Sequence, residues 1–159
     1  MAIQQGDKLP QATMHSMVDG KPTPMTTDDI FAGKKVVVFA VPGAFTPTCS
    51  QAHLPGYVVH ADAIKAKGVD SIVCLSVNDA FVMGAWGTGA NADHLLMVGD
   101  GNGEFTKALG LEMDGSGFGL GTRSQRFAMI VDDGTVTTLA VEAPGQFEVS
   151  SAEAMLAAL

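Results

Sequence analysis

The strongest constraint on the fold is a pair of apolar runs. Lys35-Val36-Val37-Val38-Phe39-Ala40-Val41 and Ser71-Ile72-Val73-Cys74-Leu75-Ser76-Val77 are nearly continuous, rich in β-branched residues and free of the alternation that marks a half-wet strand. Such runs fit strands buried on both faces, which need helices above and below them. The segment between the runs supplies one: a helical pattern from Tyr57 to Lys67, closed by Gly68. Pro42-Gly43 ends the first run, and Pro55 is expected to kink the helix that follows it or to end that helix's first segment.

The remaining elements are read from their turns and caps. Thr13–Met17 and Lys21–Met25 flank Asp19-Gly20, and Phe127–Val131 and Thr135–Val141 flank Asp132-Asp133-Gly134; both are hairpin signals. Thr26 or Thr27 caps a short helical turn, and Asn78 or Asp79 caps a helix over Ala80–Trp86. His94–Val98 reads as a short strand and Glu104–Leu109 as a helical turn. Ser150-x-x-Glu153 forms a capping box before a C-terminal helix. The order predicts an α/β protein: a central mixed β-sheet flanked by helices, with an N-terminal β-hairpin extension. It resembles a thioredoxin-like fold. No repeat, low-complexity stretch or linker divides residues 1–159, so one domain is expected.

Composition excludes several classes of function. Apolar residues make up 47% of the chain and charged ones 16%, a globular balance. A net charge of −8 argues against nucleic acid, because no basic patch exists to displace counterions from phosphates. No apolar run approaches the roughly 18 residues of a membrane span. The start, Met1-Ala2-Ile3-Gln4-Gln5-Gly6-Asp7, lacks the features of a signal or transit peptide, so a cytoplasmic chain is expected. Two cysteines in such a chain are not a structural staple.

Cys49 lies about three residues inside the helix that begins at Thr46, the expected N-cap, with Pro47 at the first helical position. Unpaired backbone N–H groups and the helix dipole favour a thiolate there. That alone achieves little. Lowering a thiol pKa from ~8.5 to ~6 raises the thiolate fraction at pH 7 about 30-fold. At a Brønsted slope of ~0.45 the same change reduces nucleophilicity roughly 13-fold, leaving a net gain near two-fold. Fast chemistry requires groups that stabilise charge on a departing oxygen. Thr46 offers a hydroxyl, the amides of the turn offer donors, and Arg123 and Arg126, the only arginines, offer a guanidinium. Arg126 directly precedes the apolar strand and is the better placed. Pro42 and Pro47 would shield the sulfur.

Val41-Pro42-Gly43-Ala44-Phe45-Thr46-Pro47-Thr48-Cys49-Ser50, Cys74-Leu75-Ser76-Val77-Asn78-Asp79-Ala80-Phe81-Val82-Met83 and Gln125-Arg126-Phe127-Ala128-Met129 together resemble the peroxiredoxins. The subfamily that contains mammalian peroxiredoxin five and the plant type II members is the more similar one. The resemblance covers almost the whole chain. It implies an antioxidant enzyme, a thiol-dependent peroxidase that reduces hydrogen peroxide and alkyl hydroperoxides through a sulfenic acid. The family's peroxidatic cysteine falls on Cys49, its hydroxyl residue on Thr46, its loop proline on Pro42 and its arginine on Arg126. Gly43, Thr48 and Phe118 are the candidate substrate-binding positions. A homodimer packed near the active sites is also implied, with Phe118 at the dimer contact or the mouth of the site.

Regeneration needs a second thiol to condense with the sulfenic acid. Mammalian-type members carry a resolving cysteine near the C-terminus, whereas Phe147-Glu148-Val149-Ser150-Ser151 has none. Cys74 is the internal candidate, but the middle of a buried strand also suits an inert thiol. Plant type II members have a cysteine there and use glutaredoxin with glutathione, so that external reductant is expected and no cofactor. The alternatives are thioredoxin acting through a Cys49–Cys74 disulfide, or a non-enzymatic peroxide sensor.

Other features are weaker. Cys49 and His53 are four residues apart, but two ligands rarely make a zinc site, and no metal is expected. His53 reads as an ordinary, partly exposed histidine that could hydrogen-bond near the sulfur. Gly115-x-Gly117-x-Gly119-x-Gly121 lacks nucleotide-loop spacing and reads as a flexible loop. Trp86 reads as packing, or as the pocket edge.

Overall fold

The computed structural model describes residues 2–159. The first apolar run forms strand β3, Lys35–Val41, in which Val36 to Val41 are completely buried. The second forms β4, Ser71–Ser76, which pairs parallel with β3 from Val36↔Ser71 to Val41↔Ser76. A β-strand with no solvent on either face has every side chain drawn into one of two layers, and this one does. Val37, Phe39 and Val41 enter one layer with Cys49, Leu54 and Tyr57. Val36, Val38 and Ala40 enter the other with Ile30, Phe31, Phe105 and Leu109.

Strands β1 (Thr13–Val18) and β2 (Lys21–Thr26) form the N-terminal hairpin, turned by Asp19 and Gly20, both at positive φ. Two positive φ values give the turn whose twist matches the strands. Helix α1, Thr27–Phe31, begins at a reciprocal capping box between Thr26 and Asp29, so Thr26 is the cap. Helix α2 spans Leu54–Lys65 and starts earlier than the Tyr57 expected from sequence. Helix α3, Ala80–Gly89, is capped by Asp79, whose carboxylate accepts from the Val82 N–H. Strand β5, Leu96–Gly99, starts two residues after the expected His94, and α4 covers Glu104–Leu109 as anticipated.

The glycine-rich segment is more ordered than expected. It joins two short antiparallel strands, β6 (Glu112–Asp114) and β7 (Thr122–Ser124), through a single 3₁₀ turn at Ser116–Phe118. Strands β8 (Phe127–Asp132) and β9 (Thr135–Val141) follow, with helix α5 over Ala152–Ala158. The main sheet runs β2-β1-β5-β4-β3-β8-β9, with β3–β4–β5 parallel and its other pairings antiparallel. This is the mixed, thioredoxin-like sheet flanked by helices. None of the described helices is long and apolar enough to cross a membrane.

Candidate active site

Between β3 and α2 the chain forms a wide helical turn. After a first helical stretch at Pro47 and Thr48, Cys49–His53 adopts π geometry, closed by the Leu54 N–H donating to the Cys49 carbonyl. Pro55 explains the widening. It has no N–H to return to residue 51, and its ring would strike that carbonyl in a regular helix. A π turn inside a helix is frequent at functional sites. Here it brings Cys49 and His53 to the same inward face, both completely buried. Pro55 itself sits in the first turn of α2, and its effect falls on the π turn that closes the first segment just before it.

Arg126, immediately before β8, reaches both residues. Its Nη2 donates to Cys49 Sγ at 3.1 Å and its Nη1 lies 2.8 Å from His53 Nδ1. A guanidinium can only donate, so Nδ1 must be the acceptor and the histidine proton sits on Nε2. That nitrogen meets the Ser150 carbonyl at 2.9 Å, the acceptor this tautomer requires. Burial is the main force lowering the His53 pKa to about 3; the Ser150 carbonyl opposes it and the Arg126 charge adds to it. His53 is thus a neutral acceptor for the arginine, not the partly exposed side chain expected. Both of its ring nitrogens have protein partners.

Ser150 in turn is not a helix cap. Ser151 caps α5, its hydroxyl accepting from the Ala154 N–H. Ser150 is buried, and its N–H and hydroxyl both donate to Glu142 Oε2, at 2.8 and 2.6 Å. The Glu148 N–H donates to the same oxygen at 2.8 Å. Burial pushes the Glu142 carboxyl up, but the bonds from Ser150, Glu148 and Val149 outweigh it and hold the pKa below the usual carboxylate range. Glu153, the other half of the expected capping box, pairs instead with His60 at 3.0 Å. The segment from 143 to 149 is therefore strapped across the site. Phe147 packs 4.9 Å from the His53 ring, and the Arg126 guanidinium lies 5.9 Å from its centroid. Beneath, Phe39 stacks on Tyr57 at 3.9 Å, and Tyr57 donates to the same Ser150 carbonyl.

The loop over the sulfur is braced from three directions. Asn78 is not a cap; its Oδ1 accepts from the Ala44 N–H at 3.0 Å and from Ser76 Oγ at 2.6 Å. Thr46 supplies the helix start with its backbone, while its hydroxyl turns back to the Gly43 carbonyl at 2.7 Å. Arg123 donates to the Pro42 carbonyl at 3.2 Å. Phe45 is held at φ 66°, an uncommon conformation for a bulky residue, with 60% of its surface exposed. Trp86 is core, as read from the sequence, and its Nε1 also donates to Ser50 Oγ at 3.0 Å, beside Cys49.

A cavity of about 430 Å³ opens onto Arg126. Pro42, Thr48 and Phe147 line it, together with Glu112, Met113 and Pro144. Gly43 is buried against the loop. Phe118 is not among the lining residues; it is 87% exposed at the end of the β6–β7 hairpin. Cys74, opposite Phe39 in β4, is completely buried, and desolvation, with a smaller contribution from Cys49, raises its pKa well above the ordinary value.

A thioredoxin-like sheet that buries a cysteine at a helix start against a guanidinium is the arrangement of a thiol-based redox enzyme. A family model described as Redoxin matches residues 4–156. The chain belongs to the Redoxin family, among its peroxiredoxins, and is a thiol-dependent peroxidase. It is 53% identical over 163 residues to peroxiredoxin-2E-2, chloroplastic, of Oryza sativa subsp. japonica, covering 99% of this chain and 72% of that protein. It is 51% identical to peroxiredoxin-2C of Arabidopsis thaliana, over 99% of this chain and 98% of that one. The structure superposes with a TM-score of 0.95 on reduced Prx3 in complex with H2O2 from Vibrio vulnificus, at 63% identity over 98% of both chains. Peroxiredoxins need no prosthetic group; the chemistry is the cysteine's own.

Proposed function

We propose that Cys49 is the peroxidatic nucleophile, that Arg126 and Thr46 assist it, and that an external thiol completes the cycle. The observation that carries this is the 3.1 Å contact between Arg126 Nη2 and Cys49 Sγ, backed by a neutral, fixed His53. The thiolate attacks one oxygen of the peroxide. The S–O bond forms as the O–O bond breaks, and the departing oxygen leaves as water or an alcohol once protonated. A rigid guanidinium between sulfur and leaving oxygen stabilises charge on both. The Thr46 hydroxyl has lone pairs left to accept the peroxide proton, and Pro42, Gly43 and Thr48 border the approach.

Hydrogen peroxide and small alkyl hydroperoxides are the proposed substrates. Their access runs through the cavity in front of Arg126, whose apolar side is Met113, Pro144 and Phe147. The sulfenic acid then condenses with glutathione, releasing water, and glutaredoxin or a second glutathione restores the thiol. The depth and raised pKa of Cys74 favour this over an internal partner. A second reading, thioredoxin acting on a Cys49–Cys74 disulfide, draws support from both thiols facing the same apolar layer.

The chain works as one domain, 1–159, since its two apolar layers draw on residues from Ile3 to Met155. The exposed Phe45 and Phe118 favour a homodimer, and the cytoplasm is the proposed compartment. The assignment is tested by rapid mixing of the reduced protein with hydrogen peroxide. Cys49→Ser should consume none; full consumption by that variant refutes the assignment.

A further inference from the structure

Arg123, the second arginine, is not occupied with the sulfur. It lies half-buried on β7, and its guanidinium joins two segments far apart in sequence. Nε donates to the Leu120 carbonyl at 3.1 Å, within its own hairpin. Nη1 donates to the Pro42 carbonyl at 3.2 Å, at the start of the loop that covers Cys49. Gly43 is shaped to this approach. A β-carbon there would lie 2.7 Å from Arg123 Nη1, so the guanidinium would have to move away, and 3.2 Å from Thr46 Cγ2, a tight contact that a shift of a few tenths of an ångström relieves. The absence of a side chain at 43 is therefore what lets the guanidinium reach the loop.

Cys49 has no exposed surface while the loop is closed. A small peroxide can enter by the cavity, but a thiol the size of glutathione must bring its sulfur within bonding distance of a buried atom. The loop has to move away for that step, and the contact between Arg123 and Pro42 resists the movement. We infer that Arg123 is a positioning residue that latches the loop over Cys49 and so sets how often the oxidised sulfur is presented to an external thiol. The inference rests on Cys49 being the oxidised thiol. In the gated step the sulfenic S–O bond breaks, an S–S bond to the incoming thiol forms, and the oxygen leaves with both protons as water. Its rate scales with the fraction of molecules whose loop is open.

Removing the latch has opposite effects on the two half-reactions. Peroxide oxidation prefers the closed, preorganised loop, whereas condensation prefers the open one. The test uses Arg123→Met, Arg123→Lys, Gly43→Ala and the Gly43→Ala/Arg123→Met pair, each checked for folding by urea titration. Rapid mixing, followed by the emission of Trp86, the sole tryptophan, beside Ser50, gives the rate with hydrogen peroxide and then with glutathione. Mass spectrometry identifies the product. For Arg123→Met, condensation should accelerate about ten-fold, the worth of one hydrogen bond from a charged donor, while oxidation slows. Arg123→Lys should fall between it and the parent. Gly43→Ala should reproduce the pattern by expelling the guanidinium, and the pair should change no more than either alone. Equal slowing of both steps, an unchanged condensation rate, or additive effects in the pair would overturn the latch. Cys49→Ser runs alongside: peroxide consumption by that variant would sink the assignment of the nucleophile itself, whatever the latch variants do.

Discussion

His53 Nδ1 accepts a hydrogen bond from Arg126 Nη1 at 2.8 Å, which fixes both the histidine tautomer and one edge of the guanidinium. The opposite nitrogen, Nη2, is left for the sulfur. An arginine held by only one contact would sample several rotamers, and a transition state served by such a group loses the advantage of a prepared field. The histidine supplies orientation and adds no charge.

His53→Ala should therefore slow oxidation of Cys49 by roughly 10- to 100-fold, the range for a hydrogen bond to a charged group. His53→Gln retains an acceptor for Arg126 and a donor for the Ser150 carbonyl, and should recover much of the loss. Rapid-mixing rates with hydrogen peroxide check both variants.

The depressed pKa of His53 predicts a pH dependence of stability. The folded state binds this proton only near pH 3, whereas the unfolded chain binds it near the ordinary 6.5. Between those values the unfolded state carries more protons, so stability is complete above about 6.5 and falls as pH drops toward 3. The limiting slope is about 1.4 kcal/mol per pH unit. Urea titrations between pH 7.5 and 5 should show this slope for the parent protein and a smaller one for His53→Gln. Below that range Glu142, whose pKa is also depressed, adds to the loss.

Arg126→Lys keeps a cation but loses the planar fork whose two nitrogens separately serve His53 and the sulfur. Oxidation should slow severely, by roughly 100-fold or more if the lost stabilisation matches that of an oxyanion donor. The urea midpoint should change little. Unchanged kinetics would remove Arg126 from the mechanism.

How much of this was legible in the sequence depends on range. The central strands, both hairpin turns and the cysteine at a helix start follow from local patterns; that Arg126, 77 positions on, meets the sulfur came from the family resemblance and not from any local signal. His53 does not: its spacing from Cys49 is visible, but its partners are Arg126 and Ser150, 73 and 97 positions away. Ser150 misled for the converse reason. Ser150-x-x-Glu153 is a sound local capping signal, yet a buried carboxylate at Glu142 claims Ser150, and Ser151 serves as cap. The π turn was foreshadowed by Pro55, but a proline announces a disturbance and not which disturbance. The β6–β7 pairing is too short to leave a periodic trace among glycines.

Glu142→Ala would leave the Glu148 N–H and both Ser150 donors without their acceptor. We expect a loss of about 3 kcal/mol or more in urea titration and faster hydrogen exchange at those amides. Glu142→Gln keeps one acceptor oxygen and should cost about half as much.

Cys74→Ala tests the reductant. Turnover with glutathione and glutaredoxin should persist at the parent rate, while the vacated sulfur site lowers stability by about 1–2 kcal/mol. Loss of turnover in the variant, together with a Cys49–Cys74 disulfide trapped in the parent protein, would favour thioredoxin.

The carbonyl of Ser150 carries a consequence for sequence drift and for engineering. It receives both His53 and Tyr57, so the ring behind the arginine is anchored to main chain. No codon change at position 150 can delete that oxygen; only displacing the backbone can. Libraries that randomise residue 150 should thus damage this peroxidase mainly by loosening the strap, and a mutant that keeps the strap in place keeps the anchor whatever its side chain.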